Sequence, residues 1–215
     1  MKRLFLSFIA GLLALSSYAQ TDNTHFDLSV SLGRGNQISK GQYDTAVEKQ
    51  FYDDLGKQTT FDLSFGYYFR PGNSLGLELL LDIGVGRASI AGTSGQLLNG
   101  QLTQGALGIV ANYRWVINKS IIVLGAGVAS LVYLEDESLG SESYSMEAES
   151  WGIPFRLKYE YKLSKSIGLG ISAAAYMGSA SSITETKNGI TTTTDLDSPS
   201  GIARWSITVG PRFHF

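Results

Sequence analysis

The chain of 215 residues contains no cysteine and only two histidines. The absence of cysteine excludes disulfide bonds, thiol nucleophiles and cysteine-ligated zinc. His25 and His214 stand near opposite ends of the sequence, and neither a Gly-x-Ser-x-Gly nor a His-Glu-x-x-His motif occurs. We therefore expect no catalytic residue, cofactor or metal site.

Long apolar runs and a basic excess are also missing. Beyond residue 19, no stretch approaches the ~18 uninterrupted apolar residues of a spanning helix. The formal net charge is −2, from 17 basic and 19 acidic residues. A mildly acidic chain without a basic stripe binds nucleic acid poorly, so we expect no nucleic-acid partner.

The first 19 residues have the layout of a secretory signal peptide. Lys2 and Arg3 precede the apolar run Leu4–Leu15, and Ser17-Tyr18-Ala19 supplies the small residues of a cleavage site. A membrane anchor is the weaker interpretation, because the run is shorter than the ~20 residues that a spanning helix needs. We predict cleavage before Gln20 and a single domain over residues 20–215.

The rest of the chain alternates between apolar and polar residues with a period of two, which is typical of strands with two different faces. Eight segments follow this pattern: 26–34, 59–70, 75–87, 104–115, 120–134, 151–163, 167–178 and 205–215. The segment 120–134 is apolar on both faces, so its register stays open.

Connections between the segments alternate in length. They are tight at 71–74, 117–119 and 164–166, whereas 35–58, 88–103, 135–150 and 179–202 are long. Short turns on one side and long loops on the other are typical of an outer-membrane barrel with its turns in the periplasm. Asn188-Gly189 favours a hairpin over 182–194, and Asn99-Gly100 is a second candidate turn.

The two faces predict a polar interior. Strands in a membrane must close into a barrel, and eight strands leave an interior just wide enough for side chains to fill. Twelve charged residues fall on the inward register: Asp27, Asp62, Arg70, Glu78, Asp82, Arg114, Arg156, Lys158, Glu160, Lys162, Arg204 and Arg212. From these we predict a lumen ion network of Asp62, Glu78, Asp82, Arg156, Lys158 and Glu160. Inward glycines on the third, fifth and seventh segments would leave room for Arg156, Lys158 or their partners.

These features resemble the small outer-membrane β-barrel family, of the OmpA transmembrane-domain and OmpX type. The resemblance covers about His25 to Phe215 and implies an all-β, eight-stranded antiparallel up-and-down transmembrane barrel. It also implies that the aromatic last strand is read by the barrel-assembly machinery, through Trp205, Val209, Phe213 and Phe215. Pro211 departs from a regular strand, since it lacks an N–H and should interrupt pairing there.

Four functions are open at this point. The first is a monomeric structural or interaction barrel in outer-membrane lipid, with a plugged lumen and extracellular loops that meet a partner. The acidic loop 135–150 is then either a binding surface or a solvated loop. The alternatives are a small or gated pore, an outer-membrane enzyme using Glu78 and Asp82, and a soluble lipocalin-like barrel with inverted faces.

Overall fold

The computed structural model describes residues 25–38, 45–91 and 97–215. Eight strands and one helix occur in this part of the chain. Their bounds are β1 (Phe26–Gln37), α1 (Ala46–Leu55), β2 (Lys57–Tyr68), β3 (Ser74–Ala91), β4 (Leu97–Ile117), β5 (Ser120–Leu139), β6 (Glu142–Lys162), β7 (Ile167–Lys187) and β8 (Ile190–His214).

The strands form a closed antiparallel barrel in chain order, with β8 hydrogen-bonded to β1. Leu28 pairs with Phe213, which closes the ring between the first and the last strand. The predicted eight-stranded up-and-down barrel is therefore confirmed. The predicted signal peptide, residues 1–19, lies outside the described residues.

One end of the barrel has tight turns and holds both described termini. Gly72 and Asn118 adopt positive φ values of 76° and 55° in two of these turns. The backbone N–H groups of His25 and Phe26 donate to the Phe215 carbonyl at 3.0 and 3.1 Å. By the rule for outer-membrane barrels, this end faces the periplasm.

At the opposite end the strands continue beyond the segments that the sequence pattern predicted. We call residues 87–91, 97–103, 135–150 and 179–202 the crown. Asn188 and Gly189 have φ values of 49° and 84°, as a type I′ turn requires, so the predicted β7–β8 hairpin is confirmed.

One prediction for the crown is wrong, and another underestimates the amount of strand. Asn99 and Gly100 do not form a turn: both lie within β4, paired with Ser138 and Glu137 of β5. The acidic segment 135–150 is not a loop but a β-hairpin that turns at Gly140, whose φ is 61°. Strand pairing satisfies the backbone groups there, and this outweighs the local loop composition.

Helix α1 occupies the long connection between β1 and β2, where the sequence pattern predicted only a loop. Thr45 and Glu48 form a reciprocal capping box, with hydrogen bonds of 3.1 and 3.2 Å. Phe51 and Leu55, one turn apart, are each 1% exposed because they pack into the upper lumen. No room remains for a side chain at Gly100, where a Cβ would lie 2.6 Å from the Phe51 ring.

The outer wall of the barrel is an apolar belt. Leu79 of β3, Leu107 of β4 and Leu157 of β6 are between 51% and 56% exposed. The register of β5, which the sequence left open, places Val123 inward and Leu124 outward. Among the described residues, no helix is both long and apolar enough to cross a membrane.

Pro211 interrupts the seam between β1 and β8. Pairing runs from Asp27 to Ser29 and resumes at Leu32, so the two residues opposite Pro211 and Gly210 have no ladder partner on β8. Gly210 is required here, because a Cβ would collide with the Val30 carbonyl. The predicted fault in pairing at Pro211 is confirmed.

A charge in the apolar belt should destabilise the barrel. We expect Leu79→Arg to lower the free energy of unfolding by about 2–4 kcal/mol, the cost of an arginine near the bilayer midplane. Urea unfolding in lipid vesicles, followed by tryptophan fluorescence, measures this change. The control is Ile190→Arg, at a crown position that is 73% exposed, which should unfold like the parent protein. Equal losses in the two variants would contradict a lipid-facing belt.

Candidate functional site: a polar network across the lumen

Below the crown, the described part of the lumen buries five carboxylates and five arginine or lysine side chains between its walls. They are Asp27, Asp62, Glu78, Asp82, Glu160, Arg114, Arg156, Lys158, Arg204 and Arg212. Two of the twelve residues predicted to point inward do not belong with them. Arg70 is exposed in the β2–β3 turn, because β2 ends at Tyr68, and Lys162 is only half-buried at the end of β6.

Arg156 is the centre of the network. Its guanidinium reaches from β6 to Asp62 on β2, at 2.5 Å, and also pairs with Glu78 on β3. In a ring of eight strands, β6 lies opposite β2. The arginine therefore joins opposite walls of the barrel, with its side chain only 1% exposed.

Glu78 gathers two more donors. Lys158 pairs with it and donates to Ser64 at 3.1 Å, and Asn112 donates to it at 3.2 Å. A buried carboxylate stays ionised only when such donors replace its lost hydration.

Asp82 forms the second charged centre, one layer nearer the crown. Arg204 pairs with it from β8, and the Tyr176 hydroxyl donates to it at 2.9 Å from β7. The Arg204 guanidinium also lies 4.8 Å from the centre of the Tyr176 ring. This second bridge again crosses the barrel, since β7 lies opposite β3.

The periplasmic layer is separate from these two centres. Glu160 pairs with His214 and not with the other five residues of the predicted network. Arg114 stacks over the Tyr68 ring at 3.9 Å. Arg212 donates to Ser31 at 2.6 Å and to Ser172 at 2.7 Å. Of the six residues of the predicted network, Glu160 is thus the one that pairs with a residue of the last strand, His214.

Inward glycines make room for large polar side chains in the lumen, but these side chains are not Arg156 and Lys158, which the sequence suggested. A Cβ at Gly84 would collide with Gln58 and Arg204, and one at Gly168 would collide with Glu160. The space at these two glycines is therefore used by the second charged centre and the periplasmic layer rather than by Arg156 and Lys158.

A smaller polar cluster lies above the membrane, beneath α1. The Tyr133 hydroxyl donates to Glu135, and both side chains are buried. Burial, together with the neighbouring Glu137 carboxylate, raises the pKa of Glu135 to about 7. Within the described ranges, no group of three or more His, Asp or Glu side chains is arranged to hold a metal ion.

The residues predicted to form the assembly signal lie along β8. Trp205 and Val209 face outward, 40% and 54% exposed, and Phe213 and Phe215 are half-buried at the periplasmic end. The Phe215 N–H donates to the Phe26 carbonyl at 3.0 Å, so the last residue is held by β1. Their reading by the assembly machinery stays a prediction.

Sequence reasoning missed Tyr176 and Tyr68, which complete the charged layers. Both stand on the inward register of their strands, between small or polar inward neighbours. The alternation that identified the charged residues would have found them had inward aromatics been considered as well. His214 likewise stands on the inward register that contains Arg212.

A closed eight-stranded barrel with an apolar outer wall and a charged lumen defines a small outer-membrane β-barrel protein of the Gram-negative type. More particularly, the chain belongs to the family described as "Domain of unknown function (DUF2715)", whose model matches residues 7–215. No curated protein matches the sequence.

Solved structures of outer-membrane proteins share the fold at low sequence identity. OprG of Pseudomonas aeruginosa is 15% identical with a TM-score of 0.55, over 90% of this chain and 97% of OprG. A major outer membrane protein of Thermus thermophilus is 12% identical with a TM-score of 0.58, over 88% and 99% of the two chains. The outer membrane protease OmpT of Escherichia coli is 8% identical with a TM-score of 0.50, over 90% and 96%.

Removing the central arginine should leave the buried Asp62 without its ion-pair partner and Glu78 with one cation fewer. We expect Arg156→Ala to lower the free energy of unfolding by about 3–5 kcal/mol, as is usual when one member of a buried ion pair is lost. The measurement is urea unfolding in vesicles, and the control is Lys187→Ala at the exposed tip of the β7–β8 hairpin. A loss no greater than that of the control would show that Arg156 does not stabilise the barrel.

Proposed function

We propose that the protein is a closed, monomeric outer-membrane barrel that holds its crown outside the cell for binding a partner. The main support for a closed lumen is the contact of Arg156 with Asp62 and Glu78, which joins opposite walls of the barrel. Phe51 and Leu55 of α1 fill the upper lumen as a second layer. In a barrel of only eight strands, two filled layers support a lumen without an aqueous path.

The charge of the crown indicates which kind of partner it would bind. Its described residues include nine acidic side chains and two basic ones, Arg87 and Lys187. The acidic ones are Glu135, Asp136, Glu137, Glu142, Glu147, Glu149, Glu185, Asp195 and Asp197. Apart from the buried Glu135, this excess favours a partner with a basic surface.

An enzymatic role has weaker support. The two histidines lie at the periplasmic rim: His25 Nδ1 lies 2.8 Å from the Tyr68 carbonyl, and His214 pairs with Glu160. The pair Glu78 and Asp82 is engaged by arginine and lysine side chains. The likeness to OmpT is one of fold, and we propose no catalytic residue.

A closed lumen predicts the absence of defined conductance. Purified protein in planar bilayers should give no steady current steps, whereas a 16-stranded porin in the same bilayers should give them. The alternative function is a small or gated pore. Steady current steps of one size from the purified barrel would contradict a closed lumen and support the pore instead.

We also propose that the barrel-assembly machinery reads the end of β8. Phe215→Ser should lower the amount of protein in the outer membrane, while the free energy of unfolding in vesicles changes little. The control is Leu163→Ser, at an exposed apolar residue near the periplasmic end. Equal outer-membrane amounts of both variants, measured by quantitative blotting of membrane fractions, would contradict this role.

A further inference from the structure

The outer wall of the crown carries a groove of about 490 Å³. Its outward side chains come from three neighbouring strands: Arg87, Ser89, Asn99, Gln101, Asp136 and Ser138. The inner side of this wall is occupied, since Phe51 of α1 packs against Gly100. The groove therefore opens outward, away from the lumen.

The groove begins where the apolar belt ends. Gln101 pairs with Arg87 on one side and with Asp136 on the other. The next outward row toward the membrane contains the apolar Val85 and Leu134 on either side of Thr103, and it continues to Glu147 on β6. A molecule in the groove would thus stand at the membrane surface with apolar wall directly beneath it.

Two more cations flank the groove on the same outer wall. Arg34 on β1 pairs with Thr59 of β2, and Lys57 stands two residues before Thr59. Gln58 pairs with Gly86, so the residues beside this pair, Lys57 on β2 and Arg87 on β3, are also neighbours. Neighbouring strands are about 4.8 Å apart and a strand rises about 3.3 Å per residue, so the Cα atoms of the three outward cations span roughly 12 Å across β1, β2 and β3.

These cations have weak or neutral partners. Arg34 donates to the Thr59 hydroxyl at 3.1 Å and Arg87 donates to the Gln101 amide oxygen at 3.0 Å. The pair of Lys57 with Asp54, at 2.7 Å, is exposed on both sides. Exposed pairs contribute little, so all three cations can engage an anion at small cost.

The wall beyond the β5 side of the groove has the reverse charge, since β6 neighbours β5 and Glu147 pairs with Leu134. Glu147 and Glu149 of β6 point outward directly above Trp151, which is 77% exposed. An anionic headgroup is therefore favoured beside β1–β3 and disfavoured beside β6.

We propose that this groove binds a phosphorylated glycolipid of the outer leaflet. The phosphate would lie against Arg34, Lys57 and Arg87, because guanidinium groups bind phosphate through paired, charge-assisted hydrogen bonds. The sugar hydroxyls would meet the amides and hydroxyls of the groove, with Asp136 as an acceptor on the side away from Arg34 and Lys57. The acyl chains would continue down the apolar belt past Val85. This lipid contact goes beyond the proposed partner of the crown, and either can hold without the other.

The test measures binding of the detergent-solubilised full-length barrel to four probes: diphosphorylated lipid A, its dephosphorylated form, phosphatidylglycerol and inorganic phosphate. We expect the diphosphorylated glycolipid to bind tightest. Arg34→Gln with Arg87→Gln should weaken that binding by about tenfold or more, since two charge-assisted hydrogen bonds are lost. The matched control, Lys49→Gln with Lys187→Gln, removes two exposed charges elsewhere and should bind like the parent protein.

A second variant separates sugar from phosphate. Asn99→Ala with Gln101→Ala should weaken binding of the glycolipid and leave binding of phosphatidylglycerol unchanged. Parent-like binding by the double arginine variant would overturn the proposal. So would equal binding of phosphatidylglycerol and the glycolipid, or displacement of the glycolipid by millimolar inorganic phosphate. Circular dichroism and the heat-dependent shift in gel mobility confirm that each variant is folded.

Discussion

A bilayer offers no hydrogen bonds, so every backbone group and every charge in the spanning region must find its partner inside the protein. In this chain, the constraint determines which residues lie on the outer and on the inner face of the barrel wall. Pairing of β8 with β1 closes the ring, and alternation places Leu79 and Leu157 outside while Glu78 and Arg156 turn inward. The buried charges must then neutralise one another, because an unpaired charge in such an interior costs several kcal/mol.

This neutralisation has a consequence for function. In the function that we propose, bridges between opposite walls leave little interior for transport, so specific contacts would be made elsewhere. The surfaces that remain are the crown and the outer wall. Acidic hairpins dominate the crown, whereas Arg34, Lys57 and Arg87 form a basic patch where the wall meets the lipid surface. One molecule can thus present opposite charges to two different kinds of partner.

The spanning barrel could be predicted from the sequence, because the lipid on one side of the wall requires an apolar residue at every second position of each strand. This alternation of apolar and polar residues is visible within each short segment. Asp62, Glu78, Arg156 and Lys158 were found in this way. The ion-pair partners of these residues were harder to predict, because they depend on which strands lie opposite each other in the barrel and on the height of each residue along its strand. Glu160 was therefore grouped with residues on another level, and Tyr176 was missed.

The crown was predicted least well, for a physical reason. Above the membrane, strands lose the lipid-facing pattern and look like polar loops, as 135–150 does. Helix α1 did carry a local signal, the capping box of Thr45 and Glu48 followed by Phe51 and Leu55. That signal was overlooked because no helical period extends beyond one short segment.

The most direct test of the central claim is a double-mutant cycle between Arg156 and Glu78. Arg156→Met, Glu78→Gln and the double variant would be unfolded in urea in the same vesicles. If the two side chains hold opposite parts of the barrel together, their coupling energy should be about 2 kcal/mol or more. Free energies that add to within about 0.5 kcal/mol would contradict a lumen closed by this ion pair.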